Sequence, residues 1–246
     1  MKHFFTKASW VLLSPLVNIT KEGDIYRTAY RGRVWYIPYP KRWMALWAKD
    51  FMKTHVRYED VLGPGDVVVE VGACTGEYTV AAAEIVGASG HVHTFEVDPI
   101  VIQCLKKNIS AAGFDKMITA THAGVSDQAQ TIELEHVPNT IASSTFHGDK
   151  SQTTTYQVDT VTLDEYFSGH PDRDRLTLLK LTVNGHEPDI MAGASEILKQ
   201  LKYVTFQSAR YDEAIALLKQ HGYEVARDTL LYTNMKSVLM RNTARS

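Results

Sequence analysis

The chain has 246 residues, 44% of them apolar and 22% charged, with a net charge of −2. That is the composition of an ordinary globular protein with enough length for a substantial core, as one large domain or two small ones. The sequence pI of about 6.5 leaves no strongly basic surface over the whole chain, so no nucleic-acid partner is expected.

The first 57 residues hold all four tryptophans, Trp10, Trp35, Trp43 and Trp47. The apolar run from Trp10 to Val17 is far shorter than the roughly 20 residues of a membrane span, so none is expected. Lys2 and Lys7 precede it, but no small-x-small cleavage site follows, so it reads as an amphipathic helix rather than a signal. Residues 25–38 alternate around Arg31-Gly32 as a hairpin. Residues 41–53 place Trp43, Trp47 and Phe51 on neighbouring helical turns. This Trp-rich extension either caps a ligand site or serves as core or oligomer surface, including a homodimer, since large aromatics dominate both.

Beyond Pro64-Gly65 strands and helices alternate. Strands are expected at 67–71, 91–96, 117–122, 176–183, 202–208, 222–227 and 230–240, and helices at 77–87, 99–112, 187–201 and 211–221. The alternation predicts an α/β fold with a mostly parallel seven-stranded sheet, and the last two strands predict a C-terminal antiparallel hairpin. Residues 128–166 read as an insertion: a strand pair at 131–136 and 153–158 around a polar loop, 139–150, long enough to be functional. The expected domains are an extension over 1–57 and a ligand-binding domain over 58–246.

The most informative stretch is Asp66-Val67-Val68-Val69-Glu70-Val71-Gly72-Ala73-Cys74-Thr75-Gly76. An apolar strand, a glycine turn and a helix make the unit that α/β proteins use to hold a nucleotide-like ligand. Twenty residues after Gly76, Glu96 ends a second strand, where a carboxylate can accept from both hydroxyls of a ribose. A dinucleotide loop has glycine at the first position; Glu70 there would repel a pyrophosphate and suit a sulfonium and an ammonium. The expected cofactor is S-adenosylmethionine; the alternative is a tight strand–helix turn that binds nothing.

From Tyr58 to about Gln207 the chain resembles the FkbM-type family of class I S-adenosylmethionine-dependent methyltransferases. The resemblance is carried by Tyr58–Pro99, by Leu-Lys-Lys-Asn-Ile-Ser-Ala-Ala-Gly at 105–113 and by Ala-Gly-Val-Ser-Asp at 123–127. Val158–Phe167 and Leu178–Leu198 complete it. It implies a Rossmann-like sheet and methyl transfer, often to a hydroxyl of a sugar, lipid or other metabolite. It assigns Glu70, Gly72, Cys74 and Gly76 to the cofactor loop, Glu96 to the ribose and Val97 to the adenine; Ala73 and Tyr78, in and beside that loop, are further expected cofactor contacts. The chain departs from the family in the fourth strand, where Lys-Ile-Asp-Val-Glu-Gly is usual and Lys180-Leu181-Thr182-Val183-Asn184-Gly185 stands. Gln207 stands where Glu is common. Neutral side chains keep hydrogen bonding and lose basicity, which removes a carboxylate base at Thr182 or Asn184 and weakens any divalent-metal reading.

Methyl transfer to a hydroxyl needs alignment and a proton acceptor. His186 and Glu187, following the fourth strand, are the expected catalytic pair, with Thr182 assisting the cofactor or acceptor. His147 is a further base candidate. His91 and His93 read as satisfied core residues, and no two-histidine-plus-carboxylate spacing marks a metal site. Cys74 and Cys104 make no disulfide framework or zinc spacing, so a reducing cytoplasm is the expected location. Asn18 and Asn108 sit in formal glycosylation sequons. The expected function is S-adenosylmethionine-dependent O-methylation of a small metabolite, sugar or glycan. The alternatives are N-methylation of RNA or protein, and a non-catalytic module that binds the cofactor.

Overall fold

The computed structural model describes residues 20–23, 25–30, 33–38, 57–136, 154–232 and 235–245. The segments expected at 10–17, 41–53 and 139–150, with Trp10, Trp43, Trp47 and His147, lie outside the described residues.

Three strands come first: β1 (Thr20–Glu22), β2 (Ile25–Tyr30) and β3 (Arg33–Pro38), paired antiparallel in that order. Alternation decides which side is inward on β3, where Trp35 and Ile37 are buried. The chain then runs through β4 (Val67–Val71), α1 (Glu77–Val86), β5 (His91–Glu96) and α2 (Val101–Ala112), and β3 packs on α2. Asn108 of α2 makes the junction. It is wholly buried; its Oδ1 accepts from Tyr36 N at 2.6 Å, and its Nδ2 donates to Tyr36 O at 2.9 Å and to Thr75 O at 2.8 Å. One amide side chain thus imitates a strand partner for β3 while holding the loop after β4. Arg33 adds an ion pair to Glu84 on α1 at 2.5 Å. A side chain enclosed this way is closed to glycosylation in the folded chain. Asn108→Ala is expected to leave three backbone groups unpaired and to cost about 2–4 kcal/mol, read as a lowered midpoint in urea or heat.

The chain continues through β6 (Ile118–His122), β7 (Gly124–Val125), β8 (Thr131–His136), β9 (Thr154–Val161) and α3 (Leu163–Tyr166). Thr162 caps α3, its side chain accepting from Glu165 N. β10 (Leu176–Leu181), α4 (Glu187–Ala192), β11 (Tyr203–Ser208), α5 (Tyr211–Gln220), β12 (Tyr223–Tyr232) and β13 (Met235–Asn242) complete it. Seven strands form one sheet in the order β12-β13-β11-β10-β4-β5-β6, parallel from β11 to β6, with β13 antiparallel to both β11 and β12. β4 lies between β10 and β5, so the chain order reverses beside it, and the carboxyl ends of β4 and β10 open onto the crevice where such sheets bind ligands.

β4 is buried at all five positions because the sheet is covered on both faces. Val67, Val69 and Val71 pack with Leu179, Leu181, Ile190, Ala214 and Leu218; Val68 packs with Leu178, Val92, Ala82, Leu105 and Ile109. The strand pair expected within 128–166 is present as β8 with β9, which also pairs with β7.

Two element boundaries differ from the expectation. The helix expected over 187–201 stops at Ala192, and a short 3-10 turn follows at Ile197–Lys199. The carboxylate of Asp164 on α3 accepts from Glu196 N, Ile197 N and Ser195 Oγ, starting a new turn there. Gly193 lets the chain pass close to the 126–127 segment, since a Cβ on it would lie 2.2 Å from Ser126 O. The turn expected near 228–229 is also absent: Asp228 is within β12 and pairs across to Lys236 at 3.0 Å on β13.

Candidate functional site

The loop between β4 and α1 is set by backbone geometry. Gly72 has φ +80° and lies against β10, where a Cβ would sit 2.2 Å from Thr182 O. Only glycine combines that conformation with that approach. Gly72 N and Ala73 N both donate to Phe95 O, which ties the loop to the end of β5. Cys74 has φ +54°, the left-handed region, and its N–H donates to Glu96 Oε2 at 2.9 Å. Gly76 is the N-cap of α1.

Glu96 gathers the site. It is nearly buried, and its Oε1 accepts from Val97 N at 2.9 Å and Asp98 N at 3.0 Å. Burial pushes its carboxyl up to about 7, against the pull of these backbone donors. Val97 follows it, with its carbonyl held by His122 Nε2 at 3.0 Å. Asp98 then starts the next helix by accepting from Ile100 N and Val101 N. A carboxylate beside a left-handed loop, with one acceptor site left on Oε2, can receive a ribose hydroxyl.

Glu70 stands elsewhere than the charge argument placed it. It is buried, its Oε2 accepts from Thr79 Oγ1 at 2.5 Å and its Oε1 pairs with Lys180 Nζ at 2.9 Å. The parallel register sets Lys180 directly opposite Glu70. The carboxylate is therefore neutralised within the protein rather than offered bare to a sulfonium. Lys180 also donates to Thr182 Oγ1 at 3.0 Å and lies 4.6 Å above the Tyr78 ring. Lys180 is quoted with the fourth strand but is given no role by the sequence; its signal was a lone cation in the strand Leu-Thr-Leu-Leu-Lys-Leu, every residue of which is buried.

A small cleft, with room for about one water, lies here, lined by Tyr58, Tyr78, Lys180, Thr182 and Gln207 among others. Tyr58 and Gln207 are nearly buried, yet the Tyr58 hydroxyl and Gln207 Nε2 have no hydrogen-bond partner among the described residues. Burial, and then the charge of Glu70, push the Tyr58 phenol well above its ordinary value, so it stays protonated.

The expected catalytic pair divides. Glu187 is wholly buried, and its carboxylate accepts from Val183 N at 2.9 Å, Gly185 N at 2.9 Å and Ser208 Oγ at 2.7 Å. It braces the turn after β10, including the left-handed Asn184, and does not face the cleft as a base. The position at the start of α4 suggested a proton acceptor; packing surrounds its carboxylate with three donors of the protein. His186 is exposed, with Nδ1 3.4 Å from Asp189 Oδ2. Thr182 is among the residues that line the cleft. The sheet also assembles what no spacing announced: His91, His93 and Asp172 lie together as two histidines and a carboxylate.

The model of the methyltransferase FkbM domain matches residues 70–225, well over half of the chain. Among solved structures, the Pyrococcus horikoshii protein PH0793 is similar at 13% identity and TM-score 0.54, covering 89% of this chain and 72% of that one. A protein of the NADB-Rossmann superfamily from Streptococcus agalactiae is similar at 14% identity and TM-score 0.49, covering 74% of this chain; this chain spans 64% of its length. Streptococcus pneumoniae Sp1610 in complex with S-adenosyl-L-methionine is similar at 13% identity and TM-score 0.46, covering 73% and 67%. The likeness to PH0793 is one of fold, and it agrees with the Rossmann-like sheet. The family match coincides with the loop at Gly72–Gly76, the acid at Glu96 and the turn after β10, and the chain belongs to the FkbM family of S-adenosylmethionine-dependent methyltransferases.

Proposed function

We propose that this protein transfers a methyl group from S-adenosylmethionine to a hydroxyl of a small metabolite, sugar or glycan. The cofactor, when bound, supplies an electrophilic methyl on a sulfonium. Glu96 would hold its ribose, and the Gly72–Gly76 backbone would pass beneath it.

The observation that carries the acceptor side is the pair of buried, unpartnered groups in the cleft. An amide N–H at Gln207 and a protonated phenol at Tyr58 form a neutral polar end that an acceptor oxygen can complete. Leaving such groups unpaired costs about 1–3 kcal/mol each, which a fitting ligand recovers. Neither is a base, and Glu187 is committed to its turn. Positioning and water exclusion would therefore supply most of the rate. His186 remains the proton acceptor in this reading: Asp189 beside Nδ1 favours the tautomer that leaves Nε2 able to accept.

In this reading residues 58–246 form the catalytic domain, with an insertion over about 128–166. Residues 1–57 form an extension that caps the acceptor side or joins two copies. A cytoplasmic location belongs to the same proposal. Among the described residues no helix is long and apolar enough to cross a membrane.

Tyr58→Phe discriminates. It deletes a buried hydroxyl that has no partner, so the fold should be unaffected or slightly more stable. Acceptor KM should rise about tenfold, the equivalent of one hydrogen bond, with cofactor affinity unchanged. His186→Gln should lower kcat about 100-fold without changing cofactor affinity, since a positioned base contributes on that scale. The deciding experiment incubates the protein with methyl-labelled cofactor and separate pools of hydroxylated metabolites, glycans, RNA and peptides. Label in an O-methyl product, identified by mass spectrometry, supports the proposal. Label confined to RNA or protein, or no label despite cofactor binding, overturns it in favour of N-methylation or of a non-catalytic module.

A further inference from the structure

We propose that His91, His93 and Asp172 form a binding site for a divalent transition metal, Zn²⁺ foremost, that clamps β5 to the segment leading into β10. His91 and His93 are two apart on β5, so both side chains leave the same face of the sheet, and their rings are 4.7 Å apart. Asp172 reaches them from the turn beyond α3, 79 residues later in the chain. One donor atom from each of the three lies within 4.8 Å of the other two.

The separation between His93 Nε2 and Asp172 Oδ2 is 3.0 Å. A metal with bonds of about 2.0–2.2 Å to nitrogen and oxygen needs its ligand atoms roughly 3–3.5 Å apart, so these two already stand near the required spacing. His91 has only to close the remaining distance, and it is half-buried at the start of its strand, where side-chain movement is open to it.

The surroundings orient these groups. Arg175 Nη1 holds Asp172 Oδ1 at 3.1 Å and leaves Oδ2 turned to the histidines. The Tyr166 hydroxyl lies 3.4 Å from His93 Nδ1, and Thr119 Oγ1 lies 2.8 Å from His91 Nε2. Such outer partners are how proteins fix the rings of metal-ligating histidines. His170 stands edge-on to His93, with ring centres 4.8 Å apart. Two imidazoles and one carboxylate suit zinc and its neighbours over magnesium or calcium, which prefer oxygen alone, and three protein ligands leave a position for water. The cluster begins at the end of β5 opposite Glu96, so this site would be separate from the cofactor loop.

The test is calorimetric titration of the whole, metal-stripped chain with Zn²⁺, with metal content after dialysis as a second measure. One saturable equivalent at low micromolar affinity or tighter is expected, unaffected by excess Mg²⁺. His91→Gln and Asp172→Asn should each weaken it at least tenfold, while the control His221→Gln should not. Co²⁺ in place of Zn²⁺ should give visible absorption that the same variants abolish. His91 is half-exposed, so His91→Gln keeps the test sound even if Asp172→Asn disturbs the fold. Absence of saturable binding, or binding that both variants retain at wild-type strength, overturns the proposal.

Discussion

Glu96→Ala is expected to weaken S-adenosylmethionine binding about 100-fold, measured by calorimetric titration. A hydrogen bond from a ribose hydroxyl to the charged Oε2 is worth about 1.5–3 kcal/mol. The variant also releases Cys74 N, whose left-handed backbone is held against Glu96 at 2.9 Å, so the loop loses its tie as well as the ribose its acceptor. The same residue sets a pH dependence. Burial raises its carboxyl to about 7, so near neutrality the ligand-free protein holds a mixture of the acid and the carboxylate. If the carboxylate is the form that binds, affinity should rise about tenfold between pH 6 and 8, with up to one proton released on binding at the lower pH. Glu96→Gln should bind weakly and with a flat profile. The stability of the ligand-free chain should move the other way. A carboxyl whose folded value lies above its unfolded one contributes stability below pH 4.5, and that contribution is lost as pH rises through 7. Calorimetry in two buffers of different ionisation enthalpy reads the proton release directly.

The second large effect is on stability. Lys180→Met should destabilise the fold by about 3–5 kcal/mol, because it leaves the Glu70 carboxylate, 1% exposed, without its cation. At about 2–4 °C per kcal/mol for a chain of this size, the melting midpoint should fall by roughly 10 °C. The double variant Glu70→Gln with Lys180→Met should recover most of the loss, since removing both charges also removes the cost of burying either. A double variant no more stable than Lys180→Met would show that Lys180 acts through Thr182 and the Tyr78 ring rather than through Glu70.

The frame of this protein was legible because its signals are local. Three valines in a row, a glycine loop and an acid at the end of the next strand each follow from a few neighbouring residues. The alternation of strand and helix periods then leaves few sheets to choose from. The candidate site was legible in its loop geometry, where the backbone itself makes it, at Gly72 to Gly76 and at Glu96. Glu187 shows the limit. Its place at the start of a helix beside the crevice is a property of the sequence, but whether its oxygens face a ligand or three donors of its own turn is a matter of packing.

Residues far apart in the chain made the other decisions. Lys180 meets Glu70 because the parallel register of β4 and β10 sets them side by side, and register is a property of two strands and not of either one. Asn108 joins Tyr36 to Thr75, and His93 meets Asp172, across 72, 33 and 79 residues. The helix after β10 ends early because Asp164, some 30 residues before it, takes the N–H groups that would have continued it. Hydrophobic period and turn chemistry fixed the elements and their order, because each is written in neighbouring residues. The partners of the buried polar groups were left to the assembled sheet, because a buried charge or amide pairs with whatever the packing of distant segments brings within 3 Å.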